Sequence, residues 1–486
     1  MLDSRRVFLF AAGAILFYQL IIPPVVGLAD NGDFPKVTGR FDLSARVHRT
    51  YEYIDAVYEF RSDKHWVSDF YSLEIALTYP ALWLNSLLSK DKNFDLRCIG
   101  AVHGALFLAA VWLFAPLLGD ARRWARCTMY ALVLFVYCDM MYVNALNSFY
   151  MDEPAYLFLL LTVVFYLRML RWGSKLDAVL LILCSFLLVS SKAQHALLGF
   201  WIAFLFIAAA QTFYALRRGW WYVAAACLTA ASFLMLWKAQ PADYTGYPLY
   251  NVAFEEILPH SKNVERTLAE LGLDDSYRFC IGMKAYLPNS GMDDPAFRQR
   301  FMQRLSFGKL AAFYVRRPAT AYRTMRHGLS EAGREHAFGN FDISTGYPPN
   351  TESRAFALWS DVKNHFFYRH GSVFLFTFLA LVALFGLLLG LDRKRLPRGA
   401  WLGGLCLIGA SFMEMATATM CDSMDMARHS MIFFVLFDMI VLACAYLIIV
   451  GQVVNLRRIV NPPAGVASRH GRRNFPRISQ GIQKAD

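Results

Sequence analysis

Long apolar runs, broken by short clusters of arginine, lysine and aspartate, set the pattern of this chain. Runs near 8–28, 99–118, 126–146, 155–170, 176–191, 196–216, 220–239, 371–391, 400–420 and 430–451 approach the ~20 residues that carry a helix across a bilayer. They predict an all-α polytopic membrane protein of about ten transmembrane helices. The first run follows Arg5 and Arg6 and ends at Gly27-Leu28-Ala29, which can also be read as a secretory leader with its cleavage site. Its length and the many runs behind it favour a retained anchor.

The polar breaks give an orientation. Arg5-Arg6, Arg122-Arg123, Arg171 to Lys175, Arg217-Arg218, Arg393-Lys394-Arg395 and the tail from Arg457 to Arg473 fall on one side when the runs alternate. Positive charge resists translocation, so both termini are expected in the cytoplasm. The resulting division is 1–240, an N-terminal transmembrane module with a first extracytoplasmic loop at 29–98; 241–370, an extracytoplasmic and interfacial segment; 371–451, C-terminal transmembrane helices; and 452–486, a basic cytoplasmic tail. A segment as long as 241–370 exceeds an ordinary connection, and chemistry is expected there and in the other outer turns.

Composition changes this picture little. The chain is 57% hydrophobic, and its net charge of +12 sits largely in the cytoplasmic turns and tail, where membrane lipid headgroups are the natural partner. No basic, aromatic-interleaved face points to nucleic acid. Of nine cysteines, Cys127, Cys138, Cys184, Cys227, Cys406 and Cys444 lie within predicted spans and only Cys280 well inside the large outer segment, so no disulfide framework is expected. Walker loops, Gly-x-Ser-x-Gly elbows and His-Glu-x-x-His helices are absent from the sequence.

Ionisable residues instead gather in the outer turns. Asp30-Asn31-Gly32-Asp33-Phe34 follows the first run, with an Asn-Gly pair that favours a tight turn. Asn147-Ser148-Phe149-Tyr150-Met151-Asp152-Glu153-Pro154 fills the next outer turn, Lys192, Gln194 and His195 a third, and Asp422, Asp425, Arg428 and His429 a fourth. Each has a plain structural reading: turn formation for Asp30 and Asp33, helix capping for Asp152 or Glu153 ahead of Pro154, headgroup snorkelling for Lys192. Together they place acids and cations at one level of the bilayer, which suits a phosphate and a nucleophile. In such a site a carboxylate takes the proton of an acceptor hydroxyl, which attacks the anomeric carbon of a sugar held on polyprenyl phosphate. Lys192, His195, Arg428 and His429 are candidates to bind the departing phosphate, and a divalent cation (Mg or Mn) bridged by Asp30 or Asp33 and Asp152 or Glu153 can share that task.

An acidic motif straight after the first span, a second acidic pair in the next outer turn and a large late outer segment resemble the GT-C superfamily of integral-membrane glycosyltransferases. Asn31-Gly32-Asp33-Phe34, Asp152-Glu153-Pro154 and Tyr314-Val315-Arg316-Arg317-Pro318 narrow the likeness to bacterial glycan-biosynthesis hexosyltransferases. The resemblance implies a polyprenyl-phosphate-sugar donor, transfer at the extracytoplasmic face of a bacterial inner membrane, and inversion at the anomeric carbon. It makes Asp33 the first choice for the catalytic base and Asp30 the second, with Asp152 and Glu153 assisting through metal or acceptor contacts. The acceptor class it implies is a lipid-linked glycan, a lipopolysaccharide part or a surface protein. The chain departs from the pattern in lacking a separate soluble C-terminal domain and in its Asp422 to His429 cluster.

Further expectations concern the outer segments. Pro295 to Leu329 alternates Phe297, Phe301, Leu305, Leu310, Phe313 and Tyr314 with Arg298, Arg300, Arg304, Lys309, Arg316 and Arg317, as helices on a membrane surface do. Gly339 to Pro349 reads as an irregular loop able to move over a site. Tyr51, Tyr53, Tyr58, Trp66, Phe70 and Tyr71 suit headgroups or sugar stacking. The competing function is a lipid-linked sugar flippase or secondary transporter, for which Asp139, Glu414 and Asp438 inside spans would count, but no internal repeat is visible. A membrane scaffold would need none of the acidic pairs.

Overall fold

Charged or glycine-bearing turns interrupt the apolar runs and become helix ends. The protein's structure, a computed structural model, describes residues 3–460 apart from 47–48, 62–68, 90, 92, 214, 334–337 and 392–395. Trp66, the Arg393-Lys394-Arg395 turn and the basic tail beyond 460 lie outside the described residues. Thirteen helices position the site: α1 (Ser4–Leu20), α2 (Leu73–Leu88), α3 (Arg97–Phe114), α4 (Arg123–Tyr137), α5 (Glu153–Trp172), α6 (Lys175–Val189), α7 (Leu198–Thr212), α8 (Arg218–Lys238), α9 (Pro318–Ala332), α10 (Leu358–Phe367), α11 (Gly371–Leu391), α12 (Arg398–Met420) and α13 (Met431–Val460).

Among the described residues, seven helices are long and apolar enough to cross a membrane, and an eighth is counted if α4 and the turn Met140–Leu146, bent by 56°, form one span. The chain is thus a helical, multi-pass membrane protein. Two of the ten anticipated spans are helices of lesser length. α1 has 17 residues and stops at Leu20, eight residues before its apolar run does, and α6 has 15. Both still bury a face in the bundle, α1 through Phe8, Ala12 and Leu16 and α6 through Leu181, Cys184 and Leu188. α5 turns into α6 through Gly173, whose φ of +62° ends the helix in the left-handed conformation that glycine adopts without strain. All nine cysteines are unpaired, in keeping with the absence of a disulfide framework in the sequence.

The segment between α1 and α3 holds more structure than a loop. Three short strands, β1 (Leu43–Ala45), β2 (Val57–Phe60) and β3 (Asn93–Asp95), form an antiparallel sheet in that order, with Leu43 opposite Phe60 and Tyr58 opposite Phe94. α2 was not anticipated, because Glu74, Pro80 and Asn85 interrupt its apolar pattern. It turns Glu74, Thr78, Ala81 and Asn85 inward and leaves Tyr79, Trp83 and Leu87 exposed along the opposite face. A polar inside and an apolar outside suit a helix wetted by lipid.

Two further apolar clusters carry the site. Phe301, Leu305, Leu310 and Phe313 turn into a core of their own with Leu249, Tyr250 and Phe254, so their helices close over each other instead of laying those residues on a membrane surface. The other cluster joins the first loop to the 147–151 turn: Phe149 sits within 5.8 Å of the rings of Phe34, Tyr58 and Phe94. The Gly339 loop is pinned rather than free. Ala29 N donates to Gly339 O at 3.0 Å, Gly339 N to Tyr51 O at 2.9 Å and Asn340 Nδ2 to Gly27 O at 2.8 Å.

Asn147 fastens the chain leaving α1. Its Nδ2 donates to Leu20 O at 3.0 Å and Val26 O at 2.8 Å. A Cβ on Gly100 of α3 would collide with Asn147 Oδ1, whereas one on Gly104, a turn later, would meet leucine methyls at 3.6 and 3.7 Å. Gly100→Ala should therefore cost about 1–3 kcal/mol, the usual penalty of overpacking a full core, while Gly104→Ala stays within about 1 kcal/mol. Thermal unfolding of the detergent-solubilised protein checks this: comparable midpoints for the two variants would contradict the tight Asn147–Gly100 contact.

Candidate functional site

Four connections meet at one end of the bundle: the chain after α1, the turn before α5, the turn between α6 and α7, and the turn between α12 and α13. Locally, each is shaped by its own sequence. Asp30 Oδ1 accepts from Gly32 N at 2.8 Å and Phe34 N at 3.0 Å, and Asn31 Oδ1 accepts from Asp33 N at 3.1 Å. Gly32 supplies the φ of +102° that this turn needs. Phe34 then anchors the turn edge-on against Tyr150, ring centroids 4.7 Å apart. The result separates the two aspartates: Asp30 faces its own backbone, and Asp33 projects into the space between the connections.

Arg428 joins three of the four. Its Nη2 lies 2.9 Å from Asp33 Oδ2, its Nη1 lies 3.0 Å from Asp152 Oδ2, and its guanidinium stands 4.8 Å over the Tyr150 ring. Lys192 brings in the fourth, placing Nζ 2.8 and 3.0 Å from the two oxygens of Asp152. His195 Nε2 sits 3.0 Å from Asp152 Oδ1, and its Nδ1 3.3 Å from Glu414. Lys36 closes the other side of Asp33 in a close ion pair and donates to Tyr244 OH at 2.7 Å. Asp425, in the left-handed conformation at φ +49°, accepts from Asn31 Nδ2 and from Tyr51 OH at 3.2 Å.

Exposure separates roles within the cluster. The Asp33 side chain is 20% exposed and that of Lys192 14%, whereas Asp152 is 1% and Arg428 5%. Asp33 is thus the carboxylate that a substrate can reach, and Asp152 is the buried hub that holds cations in place. Burial alone would push both acids up, but Lys36 and Arg428 hold Asp33 well below the usual carboxylate range, and Lys192, His195 and Arg428 do the same for Asp152. His429 accepts from Arg428 Nη2 at 2.9 Å. Burial and the charges of Arg428 and Lys192 keep it neutral. Arg428 Nε, although buried, has no partner among the described residues, so one guanidinium donor remains to be satisfied.

The donors present do not fit a divalent cation. Both Asp152 oxygens are engaged by Lys192, His195 and Arg428, and Glu153 lies buried with Oε2 unpartnered. Among the described residues, no three His, Cys, Asp or Glu side chains gather as ligands.

The chain matches the YfdI N-terminal transmembrane domain family over residues 3–462. It belongs to that family. Comparisons with curated proteins and with solved structures gave no match.

Sequence reasoning singled out Asp33, Asp152, Lys192, His195, Arg428 and His429, and the structure brings them together. Asp30 and Glu153 lie beside the cluster and turn elsewhere. Lys36, Tyr150, Tyr244 and Glu414 complete it and were not singled out as binding or catalytic groups; Tyr51, expected to meet headgroups or sugars, and Asp425, expected in the fourth outer turn, join it as well. Lys36 lies three residues from Asp33 and so carried a local signal; Tyr244 carried none. Asp139 and Asp438 belong to other networks: Asp139 caps the first turn of α10 through Trp359 N and Ser360 N at 3.0 and 3.1 Å, and Asp438 takes Lys363 Nζ at 3.0 Å and Tyr142 OH at 2.6 Å.

Two outcomes follow. Arg428→Gln leaves Asp33 and Asp152 under-compensated and should destabilise the protein by about 3–5 kcal/mol, the cost of breaking a buried pair; adding Asp152→Asn should restore part of the lost unfolding midpoint. Asp422, by contrast, is pushed up to about 6, chiefly by burial. A carboxyl raised in the fold contributes stability below its unfolded value of 3.8, and that contribution is lost as pH rises through about 6. Asp422→Asn should then raise the unfolding midpoint clearly at pH 8 and by a smaller amount at pH 5, and equal effects at both values would refute the assignment.

Proposed function

We propose that this protein is a glycosyltransferase of the GT-C kind, moving a sugar from a polyprenyl-phosphate donor to a cell-envelope glycan or protein acceptor at the extracytoplasmic face of a bacterial inner membrane. One observation carries the reading: a reachable carboxylate, Asp33, stands against a cradle of Arg428 and Lys192 ordered by the buried Asp152. Membership of a transmembrane-domain family over nearly the whole chain supports it. The basic turns Arg122-Arg123, Arg171 to Lys175 and Arg217-Arg218 occupy the opposite end of the helices from the site, which supports cytoplasmic termini and an extracytoplasmic reaction.

The chemistry follows from the geometry. The donor phosphate enters beside Arg428 and Lys192, and its oxygens compete with Asp33 and Asp152 for their N–H donors. Asp33, losing part of its pairing with Arg428, becomes more basic at the moment substrate is present. An acceptor hydroxyl gives its proton to Asp33 as its oxygen bonds to the anomeric carbon. The bond from that carbon to the phosphate oxygen breaks, and the electron pair leaves with polyprenyl phosphate, whose charge Arg428 and Lys192 stabilise. Attack opposite the leaving phosphate inverts the anomeric centre.

Release of polyprenyl phosphate from a labelled sugar donor, in membranes carrying native acceptor, tests the assignment. Asp33→Asn, shown to be folded and inserted, should turn over at least ~100-fold more slowly, in the range expected when a general base is removed. Intact donor carried across the bilayer, with wild type and variant alike, would replace the enzyme by a flippase or secondary transporter.

A further inference from the structure

The two oxygens of Asp33 face different surroundings. Oδ2 meets Arg428, on the phosphate side described above. Oδ1 meets Lys36, and Lys36 opens onto a row of aromatic rings. Its Nζ lies 4.4 Å over the Tyr244 ring and 4.9 Å over Phe70. Tyr244 lies 5.8 Å from Tyr247, and Tyr247 stacks on Tyr286 at 5.1 Å with the planes 17° apart. This row is not core: Tyr286 is 56% exposed, and Tyr244 and Tyr247 are half-buried.

A second carboxylate ends the row. Asn251 donates from Nδ2 to Asp422 Oδ1 at 3.2 Å and accepts from Ala285 N at 2.8 Å, so Asp422 is tied to the residue before Tyr286. Ser423 N and Met424 N, at 2.7 and 3.1 Å, also donate to Asp422 Oδ1. Its Oδ2 accepts from no described residue. The electrostatic pull of both Asp33 and Asp422 is felt at the hydroxyls of Tyr244 and Tyr286, whose ionisation burial, first, and these charges oppose. The tyrosines therefore remain hydrogen-bond donors with neutral, electron-rich faces.

Ring faces, phenol donors and a carboxylate with a spare oxygen match one chemical class. A pyranose presents a C–H face to an aromatic ring and hydroxyl pairs to a carboxylate. Lipid tails would use the ring faces but offer no donor to the second Asp422 oxygen.

We infer that Tyr244, Tyr247 and Tyr286, with Asp422, form a seat for a pyranose ring of the acceptor, on the opposite side of Asp33 from the phosphate cradle. The inference rests on the glycosyl-transfer reading and names the class of its acceptor as a glycan. A ring on this seat brings a hydroxyl to Asp33 from the Lys36 side, while the anomeric carbon of the donor approaches from the Arg428 side. The hydroxyl oxygen then lies between Asp33, which takes its proton, and the anomeric carbon that it attacks, as general-base catalysis requires.

Saturation-transfer NMR on the full chain in nanodiscs provides the test, with methyl pyranosides of glucose, galactose, mannose, rhamnose and N-acetylglucosamine as probes. At least one probe should receive saturation at its ring C–H protons from wild type. Its affinity should fall about 3–10-fold in Tyr286→Ala and in Tyr247→Ala, fall less in Tyr286→Phe and Tyr247→Phe, which keep the ring face, and fall in Asp422→Asn. Transfer to none of the probes, or transfer that the alanine variants leave unchanged, overturns the seat. Binding needs no turnover, so the two readings fail separately: donor cleavage without this binding discards the seat alone, and tyrosine-dependent binding without donor cleavage keeps the seat and discards glycosyl transfer.

Discussion

A single guanidinium holds this site together. Arg428 lies between Asp33 and Asp152, two acids that the chain separates by more than a hundred residues and that would repel each other without it. A planar group with several fixed donors can serve two carboxylates and an imidazole at once, whereas a lysine ammonium offers no such fork. The pairing fixes the loop after α1 to the turn before α5 and to the chain entering α13. Burying these charges is costly unless each is paired, so the acids and bases of the cluster depend on one another's presence.

Apolar packing delivers the partners to that pairing. Phe149 lies at the centre of the rings of Phe34, Tyr58 and Phe94, so a small core outside the bundle clamps the first loop onto the 147–153 turn. Asn147 pulls the chain after Leu20 against Gly100 of α3, and the strand-like contacts of residues 339–341 with 26–29 and 51–54 hold the loop from the other side. Aromatic contacts set the frame, and ionic contacts fill it.

The frame also gives Asp33 two distinct sides. Cations ordered by Asp152 stand on one, tyrosines and Asp422 on the other. The buried Lys363–Asp438 pair, by contrast, lies among Tyr142, Trp359 and Phe434 and ties α10 to α13, a structural use of charge within the bundle.

Sequence alone determined the features that depend on local chemistry and on solvent. Apolar runs of bilayer length must become helices, because backbone polar groups have no other partner in hydrocarbon. Asp30-Asn31-Gly32-Asp33 must turn, because its side chains and glycine favour that backbone. Ionisable residues confined to alternate turns had to emerge at one end of the bundle, which made Asp33, Asp152, Lys192, His195, Arg428 and His429 legible together. Tertiary structure alone decided the rest. Turn chemistry alone does not tell Asp30 from Asp33; the folded turn, with Asp30 bonded to Gly32 N and Phe34 N and Phe34 packed on Tyr150, directs one to its own backbone and the other into the site. α2 was hidden because its polar residues face protein and its apolar ones face outward, the reverse of a soluble amphipathic helix. Lys36 acquires its place from Tyr244, and Tyr286 from Tyr247, across long stretches of chain. Such contacts depend on three-dimensional proximity, for which a linear pattern of hydrophobic and charged residues holds no record.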